Sequence, residues 1–304
     1  MGDGVPHIEK SRYQDDQPMT NWPHLPEPAA TLRADAYEAR TPCGDGEMIW
    51  RRWGTGAPIV LAHGGSGSWT HWVKQIPVLM QRYEVWAVDL PGLGASAMPS
   101  PPLTPSSCGA AMAHGLRMLI PRERQPRLVA FSFGAHVSTW ALKELGDHVR
   151  SFVITGCSAL GLRDPRDMPG LPKERSTMTA TERRDVHRGV LAMLMIADPA
   201  RIDEAAIDLQ AENVRQARFR SREFAATDEV RRGLADIRIP VRAIWGEKDV
   251  VARPSVAAVL EVLREHHPEL VTRVIAGAGH WVMYEQPEAY NAALIEMLEW
   301  PRGT

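Results

Sequence analysis

Continuous apolar runs at 58–62, 83–88, 127–130, 151–155, 241–245 and 270–275 alternate along this chain with stretches of helical character. Strands that are apolar on both sides must be covered on both faces, and strands separated by crossover helices run parallel. A mostly parallel sheet flanked by helices is therefore expected. The helical stretches fall at 69–81, 110–119, 135–145, 254–265 and 287–300, with Pro254 and Pro287 placed where a first helical turn tolerates proline. Upstream, Met48 to Trp53 alternates as a strand, and Gly54-Thr55-Gly56 reads as the turn of a hairpin leading into 58–62.

The alternation stops between 160 and 237. A Gly/Pro/Asp-rich linker at 161–172 gives way to a charged stretch, 179–232, with apolar residues such as Val190, Met193 and Leu194 at helical spacing. This segment reads as a helical cap, 160–237, inserted over the C-terminal edge of a core formed by 41–159 and 238–304. Residues 1–40 are rich in proline, acids and histidine without a period, and read as a surface arm.

A net charge of −2, with arginines scattered among acids, gives no electrostatic case for nucleic acid or an anionic membrane. A small-molecule substrate is the expected partner, and the oligomeric state stays open. Cys43, Cys108 and Cys157 are widely spaced, and the histidines show no ligand pattern with acids or thiols, so neither a disulfide framework, a metal nor a cofactor is expected. No apolar core of a secretory signal occurs in 1–17, and no run approaches the roughly 20 apolar residues that span a bilayer. A soluble, cytoplasmic protein is the expectation.

The chemistry centres on Ala130-Phe131-Ser132-Phe133-Gly134, which joins the run at 127–130 to the helical stretch at 135–145. A serine on a sharp strand-to-helix turn is pushed out of the sheet, beside the amides that open the helix. Such a serine needs a base, and the base needs an acid. Gly277-Ala278-Gly279-His280-Trp281 follows the last strand and presents His280; Gly246-Glu247-Lys248-Asp249 follows the preceding strand and presents Asp249 at the same sheet edge. Glu247 reads as a solvated loop charge. After the strand at 58–62, His63-Gly64-Gly65-Ser66-Gly67-Ser68 can bend so that the amides of Gly65 and Phe133 form an oxyanion hole, with His63 bracing the loop.

These segments, with Asp89-Leu90-Pro91-Gly92-Leu93-Gly94-Ala95-Ser96, resemble in content and order the α/β-hydrolase superfamily over 45–304. The resemblance implies an α/β-hydrolase fold with a cap, a catalytic triad of Ser132, Asp249 and His280, and structural roles for Asp89 and Ser96. The elbow departs from the usual pattern in beginning with Ala130 instead of glycine, and alanine is also small. A serine at 132, where some relatives carry aspartate, argues against epoxide hydrolase and haloalkane dehalogenase chemistry.

Gly279-His280-Trp281 and the capped layout are similar to the meta-cleavage-product hydrolases, which cut C–C bonds and hold a substrate carboxylate with a cap arginine; Arg188, Arg215, Arg218 and Arg220 are the candidates. Two departures weigh against that branch. Phe131 stands where asparagine is usual, and the oxyanion loop lacks a Gly-Pro-Gly continuation. A pocket lined by Phe131, Phe133, Trp69, Trp72 and Trp281 would favour an apolar or aromatic group, so a carboxylic ester is the leading substrate expectation. C–C hydrolysis is the alternative, and a receptor that keeps the scaffold without catalysis is a third.

Overall fold

A computed structural model describes residues 25–164, 166 and 170–300. Eight strands form one sheet: β1 (Tyr37–Cys43), β2 (Gly46–Trp53), β3 (Ala57–Ala62), β4 (Tyr83–Val88), β5 (Arg127–Phe131), β6 (Ser151–Thr155), β7 (Val241–Gly246) and β8 (Val271–Ile275). Their spatial order is β1-β2-β4-β3-β5-β6-β7-β8. Pairing is antiparallel from β1 to β4 and parallel from there to β8. This is the mostly parallel sheet that the apolar runs imply, in the α/β-hydrolase architecture that the resemblance implies.

The two-residue period of the strands divides the interior into two cores. Val60, Ala62, Trp86, Val88, Leu128, Ala130, Phe152 and Ile154 point into one, where the helices Pro105–Leu119, Phe133–Leu145 and Val256–His266 lie. Ile59, Leu61, Val85, Ala87, Val129, Phe131, Val153 and Ile244 point into the other, beneath the turn Trp69–Trp72 and the helix Pro287–Glu299. Burial on both sides is why these strands read as unbroken apolar runs.

Several local expectations change. The hairpin expected across Gly54-Thr55-Gly56 does not form, because β4 lies between its arms, antiparallel to β2 and parallel to β3. The hairpin is β1–β2 instead, turning at Gly44-Asp45. The helix expected at 69–81 breaks into a 3₁₀ turn, Trp69–Trp72, and a single α-turn, Ile76–Leu79. The helix after β7 begins at Val256 with Ser255 as its cap, so Pro254 precedes the first turn rather than occupying it. Of the segment read as an arm, 1–24 lie outside the described residues. The rest is folded: the helix Ala29–Asp35 buries Ala29 and Leu32 in the second core, the Trp53 Nε1–H donates to the Leu32 carbonyl at 2.8 Å, and β1 starts at Tyr37.

Between β6 and β7 the chain forms the helices Ala180–Val190, Glu204–Gln216 and Glu229–Leu234, with a π-helical turn at Leu191–Met195. The first two start where local capping dictates. The Thr179 hydroxyl receives the Glu182 amide while the Glu182 carboxylate receives that of Thr179, and the Asp203 carboxylate receives the Ala206 amide. Leu191, Ala206, Ile207 and Leu209 enter the second core, and Phe219, Val230 and Leu234 enter the first, so this insertion is packed into both.

Candidate active site

Ser132 follows β5 and immediately precedes the helix Phe133–Leu145, with φ 50° and ψ −119°, a conformation rare for a residue with a side chain. The neighbours hold it there. Its amide donates to the Thr155 carbonyl at 2.8 Å. Two residues on, a Cβ at Gly134 would lie 2.5 Å from the Ala62 carbonyl oxygen and 2.7 Å from that of His63, both backbone atoms, which is why glycine stands there. Ala130, opposite Ala62 and Ile154 in register, is completely buried, and that crowding accounts for a small residue at the start of the elbow.

The loops after β7 and β8 bring their side chains to the same place. His280 Nε2 lies 3.0 Å from Ser132 Oγ, and His280 Nδ1 lies 2.9 and 3.0 Å from the two carboxylate oxygens of Asp249. Asp249 is itself fixed, accepting the Val251 amide at 2.8 Å. The two loops brace each other through Lys248 N–H to the Ala278 carbonyl, and the exposed Glu247 accepts the Gly277 amide, a bond its reading as a solvated charge leaves out. Beside them, burial and then the Asp249 charge push the Cys157 thiol up, so it offers no competing nucleophile.

The 63–68 loop arches over the elbow. A Cβ on Gly64 would lie 3.2 Å from Ser132 Cβ, and one on Gly65 would lie 3.6 Å from Phe133 Cβ. Phe133 is the first residue of its helix, so its amide has no intrahelical acceptor. His63 braces the loop: its Nε2 accepts the Leu90 amide at 2.9 Å while its Nδ1 meets the Gly64 carbonyl at 2.7 Å. His71, which sequence reasoning passed over, accepts the Gly64 amide at 3.2 Å. The far end of the loop hangs on Asp89, whose carboxylate receives the Trp69 amide at 2.9 Å, the Ala95 amide at 3.1 Å and the Arg51 guanidinium at 2.8 Å. Ser96 ties the same turn to β2 through the Ile49 amide.

Both loop histidines are held neutral. Burial lowers His63 from 6.5 to about 4, against the opposing pull of Asp89. Burial, reinforced by His63 and His280, holds His71 well below its ordinary value. Between these limits the unfolded chain binds protons that the folded one refuses, so stability present above pH 6.5 is lost as pH falls through 4. The loss expected from His63 alone is up to roughly 3 kcal/mol. Urea unfolding at about pH 7 and about pH 4.5 checks it, with a His63→Asn variant losing that part of the drop; equal stability at both values would rule the neutral pair out.

The expected substrate-lining rings are placed differently. Phe131 and Trp281 have no accessible surface, and Trp69 has 3%. Phe131 packs on His280 and His71, Trp281 stacks on Tyr284 with its indole N–H on the His71 carbonyl, and Trp69 lies against Trp53. Arg188 is engaged by Glu204 on the exposed side of the cap, Arg215 by Glu212 and Arg220 by Glu223, while Arg218 bonds the Ser96 carbonyl. None of these bonds reaches Ser132, Asp249 or His280. What the cap does bring near the elbow is an aromatic series, Phe133 to Phe219 at 5.4 Å and Phe219 to Phe224 at 5.9 Å, together with Ser221 against Gly65.

A second serine–histidine–acid chain also occurs: Ser158 Oγ to His136 Nε2 at 3.0 Å, and His136 Nδ1 to Glu229 at 3.0 Å. The nearby amides of Ala159 and Gly161 are already bonded to the Ala225 and Thr227 carbonyls, so they cannot hold an oxyanion, and the Val230 amide returns to the Ala159 carbonyl. This trio fastens the two roots of the cap to the helix that begins beside Ser132. Among the described residues, no group of three or more His, Cys, Asp or Glu could hold a metal ion, and no helix is long and apolar enough to cross a membrane.

A sheet of this order, with an elbow serine, an acid and a histidine on the loops after β5, β7 and β8, defines an α/β hydrolase. The chain belongs to the alpha/beta hydrolase family, whose sequence model matches residues 59–293. It is similar to the pimeloyl-[acyl-carrier protein] methyl ester esterase of Edwardsiella ictaluri (strain 93-146), with 26% identity over 83% of this chain and 97% of that one. It is also similar to the 2-hydroxy-6-oxo-6-(2'-aminophenyl)hexa-2,4-dienoic acid hydrolase of Metapseudomonas resinovorans, with 22% identity over 81% and 85% of the two chains. Among solved structures, Cfl2 of Burkholderia cenocepacia shares the fold at a TM-score of 0.69, with 20% identity over 86% of this chain and 95% of that one.

Proposed function

We propose that the protein is a serine hydrolase that cleaves a small to medium carboxylic ester through an acyl-enzyme. The observation that carries this reading is the unbroken chain from Ser132 Oγ through His280 to Asp249, at 3.0 and 2.9 Å, beside the Gly64-Gly65 turn. Ser132 Oγ attacks the ester carbonyl as His280 Nε2 takes its proton; the amides of Gly65 and Phe133 receive the oxyanion; the imidazolium then protonates the leaving alcohol. Water, deprotonated by His280, attacks the acyl-enzyme and releases the acid. Asp249 holds the Nδ1–H tautomer throughout. The Phe133, Phe219 and Phe224 series beside the elbow supports an apolar or aromatic substituent; Phe224 is the half-buried ring of the three, while Phe133 and Phe219 are as buried as Trp69.

C–C bond hydrolysis of a meta-cleavage product is the second reading, favoured by the similarity to the dienoic acid hydrolase and by Gly279-His280-Trp281. The two are separated by turnover of a p-nitrophenyl ester series beside a ring-fission dienoate. Ester turnover is expected to exceed dienoate turnover, and the reverse would replace the first reading by the second. Labelling of Ser132 by a fluorophosphonate excludes the receptor reading; folded protein that takes no label would support it.

A further inference from the structure

Glu285 is 2% exposed, and its carboxylate is satisfied by three backbone amides. Oε2 accepts from Gly279 at 2.7 Å and from Ala197 at 3.1 Å, and Oε1 accepts from Asp198 at 2.8 Å. One of these donors immediately precedes His280, and the other two belong to the cap, just beyond the π-helical turn. Among the described residues no lysine, arginine or histidine forms an ion pair with Glu285, so the charge rests on these amides, and such charge-assisted bonds are stronger than neutral ones.

The same junction is closed by two more contacts. The Trp281 amide donates to the Met195 carbonyl at 2.7 Å. A Cβ on Gly279 would lie 2.7 Å from the Ala197 nitrogen and 3.0 Å from the Met195 oxygen, so backbone meets backbone there. The residues on either side of His280 are thus bonded to cap residues 195–198 or to the carboxylate that also binds them.

We propose that Glu285 is a positioning residue that makes the alignment of His280 on Ser132 depend on the seating of cap residues 195–198. This rests on the serine hydrolase reading for its kinetic consequence, not for its structural one. Losing the carboxylate releases the Gly279 amide and both cap amides together, and a shift of about 1 Å in a catalytic group costs about 100-fold in rate. The side chain touches neither substrate nor reacting atoms.

The test compares Glu285→Gln, Glu285→Ala and a control, Trp50→Phe, which loses a buried bond to Thr41 at the far edge of the sheet. Glutamine keeps one acceptor oxygen and so two of the three bonds. Ester kcat is expected to fall about 10-fold in Glu285→Gln and about 100-fold in Glu285→Ala, with KM within about threefold, and to stay unchanged in Trp50→Phe below its unfolding midpoint. In hydrogen exchange, the amides of Ala197, Asp198 and Gly279 are expected to exchange at least about 10-fold faster together in Glu285→Ala, while Trp50→Phe leaves them protected. A kcat within about twofold of wild type in both folded Glu285 variants would overturn the proposal. So would faster exchange at Ala197 and Asp198 with Gly279 still protected. If wild-type protein turns over no ester and takes no fluorophosphonate, the hydrolase reading fails, and the exchange measurement alone decides the coupling.

Discussion

Ser132→Ala is expected to lower ester turnover by on the order of 10⁴- to 10⁶-fold, because the remaining members of a triad cannot act without the nucleophile. The fold has no stake in the hydroxyl. The Ser132 amide still meets the Thr155 carbonyl, and among the described residues no bond other than that to His280 holds the side chain. Asp249→Asn should cost about 10⁴-fold by a different route. The Val251 amide holds the asparagine oxygen at the Oδ1 position, so the NH₂ takes the Oδ2 position, 3.0 Å from His280 Nδ1. That donor opposes the Nδ1–H tautomer, and the carboxylate charge that would stabilise the imidazolium is gone. Initial rates on a p-nitrophenyl ester, with the mass of the fluorophosphonate adduct, check both variants; Ser132→Ala turnover within about tenfold of wild type would remove Ser132 as nucleophile.

Asp89→Ala is expected to be the most destabilising single change, costing about 3–5 kcal/mol. The Arg51–Asp89 pair is buried, with side chains 5% and 2% exposed, and truncation leaves the guanidinium inside with a longer contact to Glu38 at 3.5 Å and the Trp69 ring 5.6 Å away. The amides of Trp69 and Ala95 lose their acceptor at the same time. Urea unfolding measures the loss. The double variant Arg51→Met/Asp89→Leu, which removes both charges, should recover a large part of it, since a buried pair contributes less than breaking it costs. A loss below about 1 kcal/mol in Asp89→Ala would mean that water reaches the site.

The parallel sheet and the strand-end loops that carry Ser132, Asp249 and His280 were legible in the sequence because both leave local signals. A strand buried on two faces reads as an unbroken apolar run, and Ser-x-Gly marks a tight strand-to-helix turn within a few residues, although the crowding that requires Gly134 comes from the distant carbonyls of Ala62 and His63. Non-local facts left weaker traces. Nothing in Gly54-Thr55-Gly56 reveals that β4, some thirty residues on, enters between the two arms. The direction of an aromatic ring is equally hidden: Phe131 alternates with Ala130 into the second core, where it packs on His280 with no exposed surface. Arg188 looked available because its partner Glu204 belongs to the next helix. Glu285 had one clue, an acid closing the otherwise apolar Trp281-Val282-Met283-Tyr284 run, but its partners are backbone amides, which carry no residue signature.

The bonds joining 159–161 to 225–230 set the entropy of everything between them. With both roots of the cap fixed side by side, the intervening chain is a closed loop whose closure cost grows only with the logarithm of its length, about 0.6 kcal/mol per doubling. Length changes in the largely exposed stretch 170–178 therefore cost the sheet little, whereas those that move 195–198 or the core-packed Leu191, Ala206, Ile207 and Leu209 are felt at once. The part of this loop that is open to rewriting is the part that touches neither core nor Glu285.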